Sequence, residues 1–316
     1  MSEKIKLGIS TCLLGEKVRY DGDHKRDRYL VEVVGPFVQW VPVCPEVECG
    51  LPIPRESMRL VGSVQEPRLV THRSHIDHTE RMLQWTQKRL DLLEKERICG
   101  FIFKSKSPSS GMRDIKVYNE AGMPIGKTAG LFAAALMRRF PNLPVEDEGR
   151  LNDAAIRENF LERVFVVHRW YKFLDTNPSR QGLVEFHTDH KLLIMAHSEK
   201  HLRELGKLAA SPQNLAQDEL FRIYFEKLMQ ALKLHATVKK NVNVLQHILG
   251  YFKKQLDSEE KQQILRVIEE YHRGLIPLIV PITLLTFLVR KYKEPYLARQ
   301  HYLSPNPAEL MLRNHV

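Results

Sequence analysis

A chain of 316 residues with 43% hydrophobic and 27% charged side chains is globular in composition and long enough for about two domains. Its longest apolar run, residues 275–289, is interrupted by Pro277 and Pro281 and falls short of the roughly 20 residues a membrane helix needs, so no membrane association is expected. The net charge of +10 favours a polyanionic partner, although charge alone does not choose between RNA, DNA, a small anion and a merely solvated basic surface.

The first six residues carry charge and run straight into a strand-like segment without an apolar signal region, so the expected location is the cytoplasm. Disulfides are disfavoured there. Cys12, Cys44, Cys49 and Cys99 are therefore weighed as metal ligands or catalytic groups.

Apolar runs predict strands at 5–10, 37–43, 69–71, 100–104 and 115–118. Helices are predicted at 77–97, where Met82, Trp85, Leu90 and Leu93 share a face, and at 127–140. Strands alternating with helices point to a three-layer, Rossmann-like α/β domain over residues 1–150. Cys12 follows the first strand, Cys44 the second, and the segment 105–111 the strand that begins near Cys99. Ligand crevices in open α/β sheets form at the carboxyl ends of strands, so these three segments are expected to share one rim.

A helical linker is predicted over 151–182, with a helix at 152–174 and a turn-rich break at 175–182. Residues 183–316 read as an all-α domain with helices at 192–208, 217–234, 238–255, 258–273 and 276–292. His197 and His201 have the spacing of a helical metal pair, but no matching carboxylate motif accompanies them, which favours ordinary helix histidines. Lys239, Lys240, Lys253 and Lys254 flank one helix, as a solvated face or as a surface that grips RNA phosphates.

Three segments carry the chemistry. Cys12 lies at a strand-to-loop transition beside basic groups, surroundings that favour thiolate. Cys44 and Cys49 stand five positions apart with Glu46 between them. The segment 103–112 is rich in hydroxyls and cations. Arg19, Arg55, Lys104, Ser105 and Ser110 border these loops as candidate substrate-binding groups, with Arg19, Arg55, Lys104 and Lys106 read either as holding a phosphate or as simply bordering the loop, and Cys99 reads as a buried small hydrophobe.

The motifs Ser10-Thr11-Cys12-Leu13-Leu14-Gly15, Val43-Cys44-Pro45-Glu46 and Lys104-Ser105-Lys106-Ser107-Pro108-Ser109-Ser110-Gly111 resemble, in this order, those of the TudS family of thiouracil desulfidases. The resemblance covers about residues 5–140. Segments 186–197, 243–247 and 295–297 resemble the helical domain fused to this module in the longer RudS proteins. It implies a 4Fe-4S cluster held by three cysteines, with one iron left open to the substrate's sulfur. It further implies hydrolytic removal of that sulfur, as hydrogen sulfide, from 4-thiouracil or from 4-thiouridine in transfer RNA. Glu46 would be the general base for water, and Ser107 a hydrogen-bond or proton-relay partner. Cys12 and Cys44 carry over as ligands. Where the family pattern has its third cysteine this chain has Ser110, and Cys49, on the same loop as Cys44, is the expected replacement. The alternatives are a desulfidase of free thiouracil or thiouridine and a non-catalytic RNA-binding protein that has lost its cluster; the oligomeric state stays open.

Overall fold

In chain order the first part of the protein contains β1 (Ile5–Ser10), β2 (Val38–Val43), α1 (Pro45–Glu48), β3 (Met58–Gly62), β4 (Pro67–Thr71), α2 (Thr79–Glu96), β5 (Phe101–Phe103), β6 (Ile115–Tyr118), β7 (Pro124–Thr128), α3 (Leu131–Arg139) and β8 (Val145–Asp147). The structure is a computed structural model that describes residues 4–210 and 215–315, and it divides into two units, Met1–Ile156 and Arg157–Val316.

Four strands of the first unit form a parallel sheet in the order β2-β1-β5-β8. Near-continuous burial along β1 and β5 is what a parallel sheet covered on both faces requires. Gly8 has no side chain because a Cβ there would lie 2.3 Å from Cδ2 of Phe101. The Phe101 ring instead meets Phe103 at 4.5 Å and Phe132 of α3 at 5.7 Å between centroids, and Leu90 and Leu93 of α2 complete this core.

A second sheet, β4-β3-β6-β7, joins a parallel β3–β6 pair to antiparallel outer strands. It buries Leu60, Leu69, Ile115 and Val117 with Met82 of α2. The fold class is α/β as expected, with this sheet added. The helix predicted at 127–140 is corrected here: it begins only at Leu131, because residues 124–128 pair with β6 as β7. A turn makes that pairing. Gly122 adopts φ +79°, its N–H donates to the Asn119 carbonyl at 3.0 Å, and Asn119 N–H donates to Met123 at 2.9 Å.

The second unit is helical: α4 (Ala154–Thr176, whose first residues close the first unit), α5 (Arg180–His197), α6 (Glu199–Ala210), α7 (Gln217–Leu232), α8 (Val238–Gly250), α9 (Ser258–His272), α10 (Ile279–Lys291) and α11 (Pro295–Ala298). Residues 157–182, read from the sequence as a linker, fall inside this unit as most of α4 and the start of α5. The break between those helices is short because Ser179 caps α5, accepting the Gly182 N–H at 3.0 Å. Trp170 anchors the core, with Phe173, Phe186 and Tyr224 at 5.0, 5.2 and 5.7 Å between centroids.

The single helix predicted at 192–208 divides at Ser198, whose extended backbone ends α5. The two histidines around that break have separate partners. His197 is buried with Nε2 2.6 Å from the Glu162 carboxylate, whereas Nδ1 of His201 lies 2.8 Å from the Ser198 hydroxyl. Among the described residues no helix is long and apolar enough to cross a membrane.

Candidate active site

The three segments singled out in the sequence do share a rim. At the end of β1 the chain makes a 3-10 turn over Thr11–Leu14 and reverses at Gly15, which takes φ +100°. The Cys12 carbonyl accepts the Lys25 N–H at 2.9 Å and so ties down the following loop. At the end of β2, Cys44 caps α1, where Pro45 suits the first helical position and Glu48 accepts the Cys44 N–H at 2.8 Å. At the end of β5, Lys104 N–H donates to the Ser10 hydroxyl at 2.9 Å. Adjacent parallel strands thus deliver all three loops to one side, around a cavity of about 460 Å³ whose wall includes Cys12, Cys44, Glu46, Ser107 and Ser110.

Burial pushes the Cys12 thiol up to about 11, against the pull of Lys104 and Arg19, and the Cys44 thiol up to about 12, helped by Glu46. The basic neighbours expected to favour thiolate at Cys12 are present, but desolvation outweighs them. Thiols in such a setting ionise when a metal supplies the compensating charge.

Glu46 is the hub of the cavity. Its Oε1 accepts hydrogen bonds from Ser109 Oγ at 2.6 Å and Ser107 Oγ at 3.5 Å. Its Oε2 lies 3.7 Å from the Cys44 thiol and 3.9 Å from the Arg55 guanidinium. The Ser107 hydroxyl also accepts the Ser110 N–H at 3.1 Å, which curls the loop back on itself.

Ser109 escaped the sequence reading although it is fully buried and makes the shorter bond to Glu46. The signal was the serine run around Pro108, in which a tight turn brings alternate hydroxyls together. The N-terminus of α3 fixes that turn: Phe132 N–H and Ala133 N–H donate to the Ser109 carbonyl at 3.0 and 3.2 Å. Gly130 permits this approach, since a Cβ there would lie 2.5 Å from the Ser109 carbonyl.

All five candidate substrate-binding residues, Arg19, Arg55, Lys104, Ser105 and Ser110, line the cavity. Each cation among them is already paired. Arg19 forks onto Asp21 at 3.1 and 3.2 Å, and Lys104 pairs with Glu148, which also accepts from Ser105 N–H at 2.7 Å. Arg55 donates to the Val18 and Pro52 carbonyls at 3.1 and 3.3 Å while approaching Glu46.

Of the three cysteines expected to group as ligands, Cys12 and Cys44 line the cavity, and Cys49 lies outside its wall. Cys44 and Cys49 stand at opposite ends of the one-turn helix α1. The Cys49 thiol donates to the Glu46 carbonyl at 3.2 Å and packs against the core of the second sheet, while Ser110 occupies the cavity wall. Consistently, among the described residues no three His, Cys, Asp or Glu side chains assemble into a metal-holding group. Cys99, just ahead of β5, is buried at 2% exposure and outside the cavity wall, as a small hydrophobe would be.

A family model described as 2-thiouracil desulfurase matches residues 7–148, a span that takes in every cavity residue named above. A solved structure of the 4Fe-4S-dependent thiouracil desulfidase TudS is 31% identical, covering 48% of this chain and 95% of its own, with a TM-score of 0.39. Over residues 7–148 the chain belongs to the 2-thiouracil desulfurase family. Joined to that family's domain, residues 191–307 match a model described as a protein of unknown function, DUF1722. The uncharacterised protein YbgA of Escherichia coli (strain K12) is 31% identical over 160 residues, which is 50% of this chain and 94% of YbgA.

Proposed function

We propose that this chain is a desulfidase that replaces the sulfur of a thiolated uracil with oxygen from water, and that its cytoplasmic substrate is 4-thiouridine in transfer RNA. The observation that carries the reading is the placement of Glu46, whose carboxylate faces the Cys44 thiol on one oxygen and two serine hydroxyls on the other. A base beside a sulfur-binding wall is what thiocarbonyl hydrolysis needs. The excess of 48 Lys+Arg over 38 Asp+Glu suits a polyanionic substrate.

The donor set of the cavity fits an iron-sulfur cluster: two buried thiols, Cys12 and Cys44, would hold it, with the Ser110 hydroxyl as the third donor on the wall. When bound, the cluster supplies a soft Lewis acid for the thiocarbonyl sulfur.

The remaining chemistry belongs to the chain. Glu46 takes a proton from water as the water oxygen bonds to the ring carbon. The carbon–sulfur bond then breaks and the electron pair leaves with sulfur, which takes the proton held at Glu46 Oε2; the second proton, released by the former water oxygen as the carbonyl forms, passes through the same carboxylate to the sulfur. Water and thiocarbonyl become carbonyl and hydrogen sulfide without a change in oxidation state. Ser109 and Ser107 donate to Oε1, which leaves Oε2 toward the reacting side. The test is anaerobic reconstitution with iron and sulfide, followed by hydrogen sulfide release and loss of the thiouridine absorbance on thiolated transfer RNA and on free thiouracil. Faster turnover of the RNA is expected; no release from either substrate would refute the activity.

A further inference from the structure

Five basic side chains line the cavity against two carboxylates. Arg19, Arg55 and Lys104 are occupied by Asp21, Glu46 and Glu148. The second carboxylate, Glu56, is turned to the loop behind it, accepting from Ser74 N–H at 3.0 Å and Ser74 Oγ at 2.7 Å. That leaves Lys25 and Lys106. Both are exposed, and among the described residues neither has an ion pair or a side-chain hydrogen bond.

Their backbones are nonetheless anchored to the reacting groups. Lys25 N–H is held on the Cys12 carbonyl at 2.9 Å. Lys106 directly precedes Ser107 and takes a left-handed φ of +60°, unusual for a side chain of its size. An exposed aromatic group joins the two lysines: Tyr20 lines the same cavity yet is 46% exposed. Its carbonyl accepts the Arg55 N–H at 2.8 Å, and the Arg19 guanidinium carbon lies 5.7 Å from its ring centroid.

A uracil ring is uncharged, so two free ammonium groups at the cavity mouth contribute little to holding the base itself. Phosphates on both sides of a nucleotide, with a neighbouring base for the tyrosine ring, use all three groups. Resting on the desulfidase reading above, we propose that Lys25, Lys106 and Tyr20 form a grip for a single-stranded polynucleotide: the lysines bind the phosphates flanking the thiolated nucleotide and Tyr20 stacks on an adjacent base.

The test uses the full, reconstituted chain with four substrates: 4-thiouracil, 4-thiouridine, its 5′-monophosphate and a short oligoribonucleotide containing 4-thiouridine. In the Lys25→Ala/Lys106→Ala variant, the ratio of kcat/KM for the oligonucleotide to that for the free base falls about 10- to 100-fold. The slope of log kcat/KM against log salt on the oligonucleotide falls by roughly 1.4, about 0.7 for each single-strand phosphate that a lysine no longer neutralises. Tyr20→Ala lowers the same ratio about 10-fold and Tyr20→Phe restores it, because stacking needs the ring and not the hydroxyl.

An unchanged ratio and salt slope, or an equal loss on the free base, overturns the grip. A loss as large on the monophosphate as on the oligonucleotide overturns the polynucleotide assignment. Fluorescence anisotropy with the unthiolated oligonucleotide reads the grip independently of turnover: weaker binding by the lysine variant supports it even where wild-type protein desulfurates nothing, an outcome that would sink only the desulfidase reading.

Discussion

Ser109 and Glu46, separated by 63 positions, meet through a 2.6 Å hydrogen bond in which the serine Oγ donates to the carboxylate Oε1. Because the Ser109 backbone is itself held by the first amides of α3, the carboxylate is aimed by a rigid element and not by a loop alone. Glu46→Gln should keep bound iron and lower kcat by about 100- to 10,000-fold, the usual loss for a general base. Ser109→Ala should leave KM nearly unchanged and lower kcat by a smaller factor. Iron analysis with steady-state kinetics on thiouracil checks both, and a Glu46→Gln protein of undiminished kcat would remove Glu46 from the mechanism.

The separation of Cys49 from the cavity predicts a split among the cysteine variants. Cys12→Ala and Cys44→Ala should each lose cluster iron and the broad visible absorption after anaerobic reconstitution. Cys49→Ala should retain them, because its thiol faces the Glu46 carbonyl and the second sheet's core. Ser110→Cys, which turns the oxygen on the cavity wall into a thiol, should raise iron occupancy. Loss of iron in Cys49→Ala would return Cys49 to the ligand set.

Gly130 offers a test of the scaffold. A Cβ there would stand 2.5 Å from the Ser109 carbonyl and 2.8 Å from that of Pro108, both backbone atoms that cannot swing aside. Gly130→Ala should therefore destabilise the first unit by about 1–3 kcal/mol, as overpacking does, and depress kcat by displacing Ser109. Thermal melting with activity measured well below the transition separates the two effects.

The helical unit carries its own pH signature. Burial pushes His187 down to about 4, and burial with the nearby Arg169 pushes His301 down to about 3. An unfolded histidine binds its proton near pH 6.5, so between about pH 4 and 6.5 the unfolded chain holds more protons than the folded one. Stability contributed by these neutral histidines is complete above that window and is lost as pH falls through it, by up to ~1.4 kcal/mol per pH unit for His187. The thermal midpoint of this unit should drop between pH 7.5 and 4.5, and His187→Gln should flatten the slope. A midpoint independent of pH over that range would contradict the assignment.

The part of the site carried by apolar periodicity was legible in advance. The runs at 5–10, 37–43 and 100–104 read as strands, and parallel pairing then brings Cys12, Cys44 and the serine segment to one edge. β7 was not legible, because Pro124, Gly126 and Lys127 have weak strand propensity and are held by pairing with β6. The burial of Ser109 was equally hidden, since serine is usually a surface residue and only docking on α3 places it inside.

The sequence by itself determined that three loops with thiols, a carboxylate and hydroxyls would follow three strands, because residue type and spacing act locally. Which thiol reaches the cavity was decided by tertiary structure: the direction of a side chain depends on the turn beneath it, and α1 sends Cys44 and Cys49 to different surroundings. The same holds for charge. The basic residues were countable from the sequence, but only the folded chain pairs Arg19, Arg55 and Lys104 with acids and gives Lys25 and Lys106 no acidic partner among the described residues, because ion pairing acts through distances that folding alone sets.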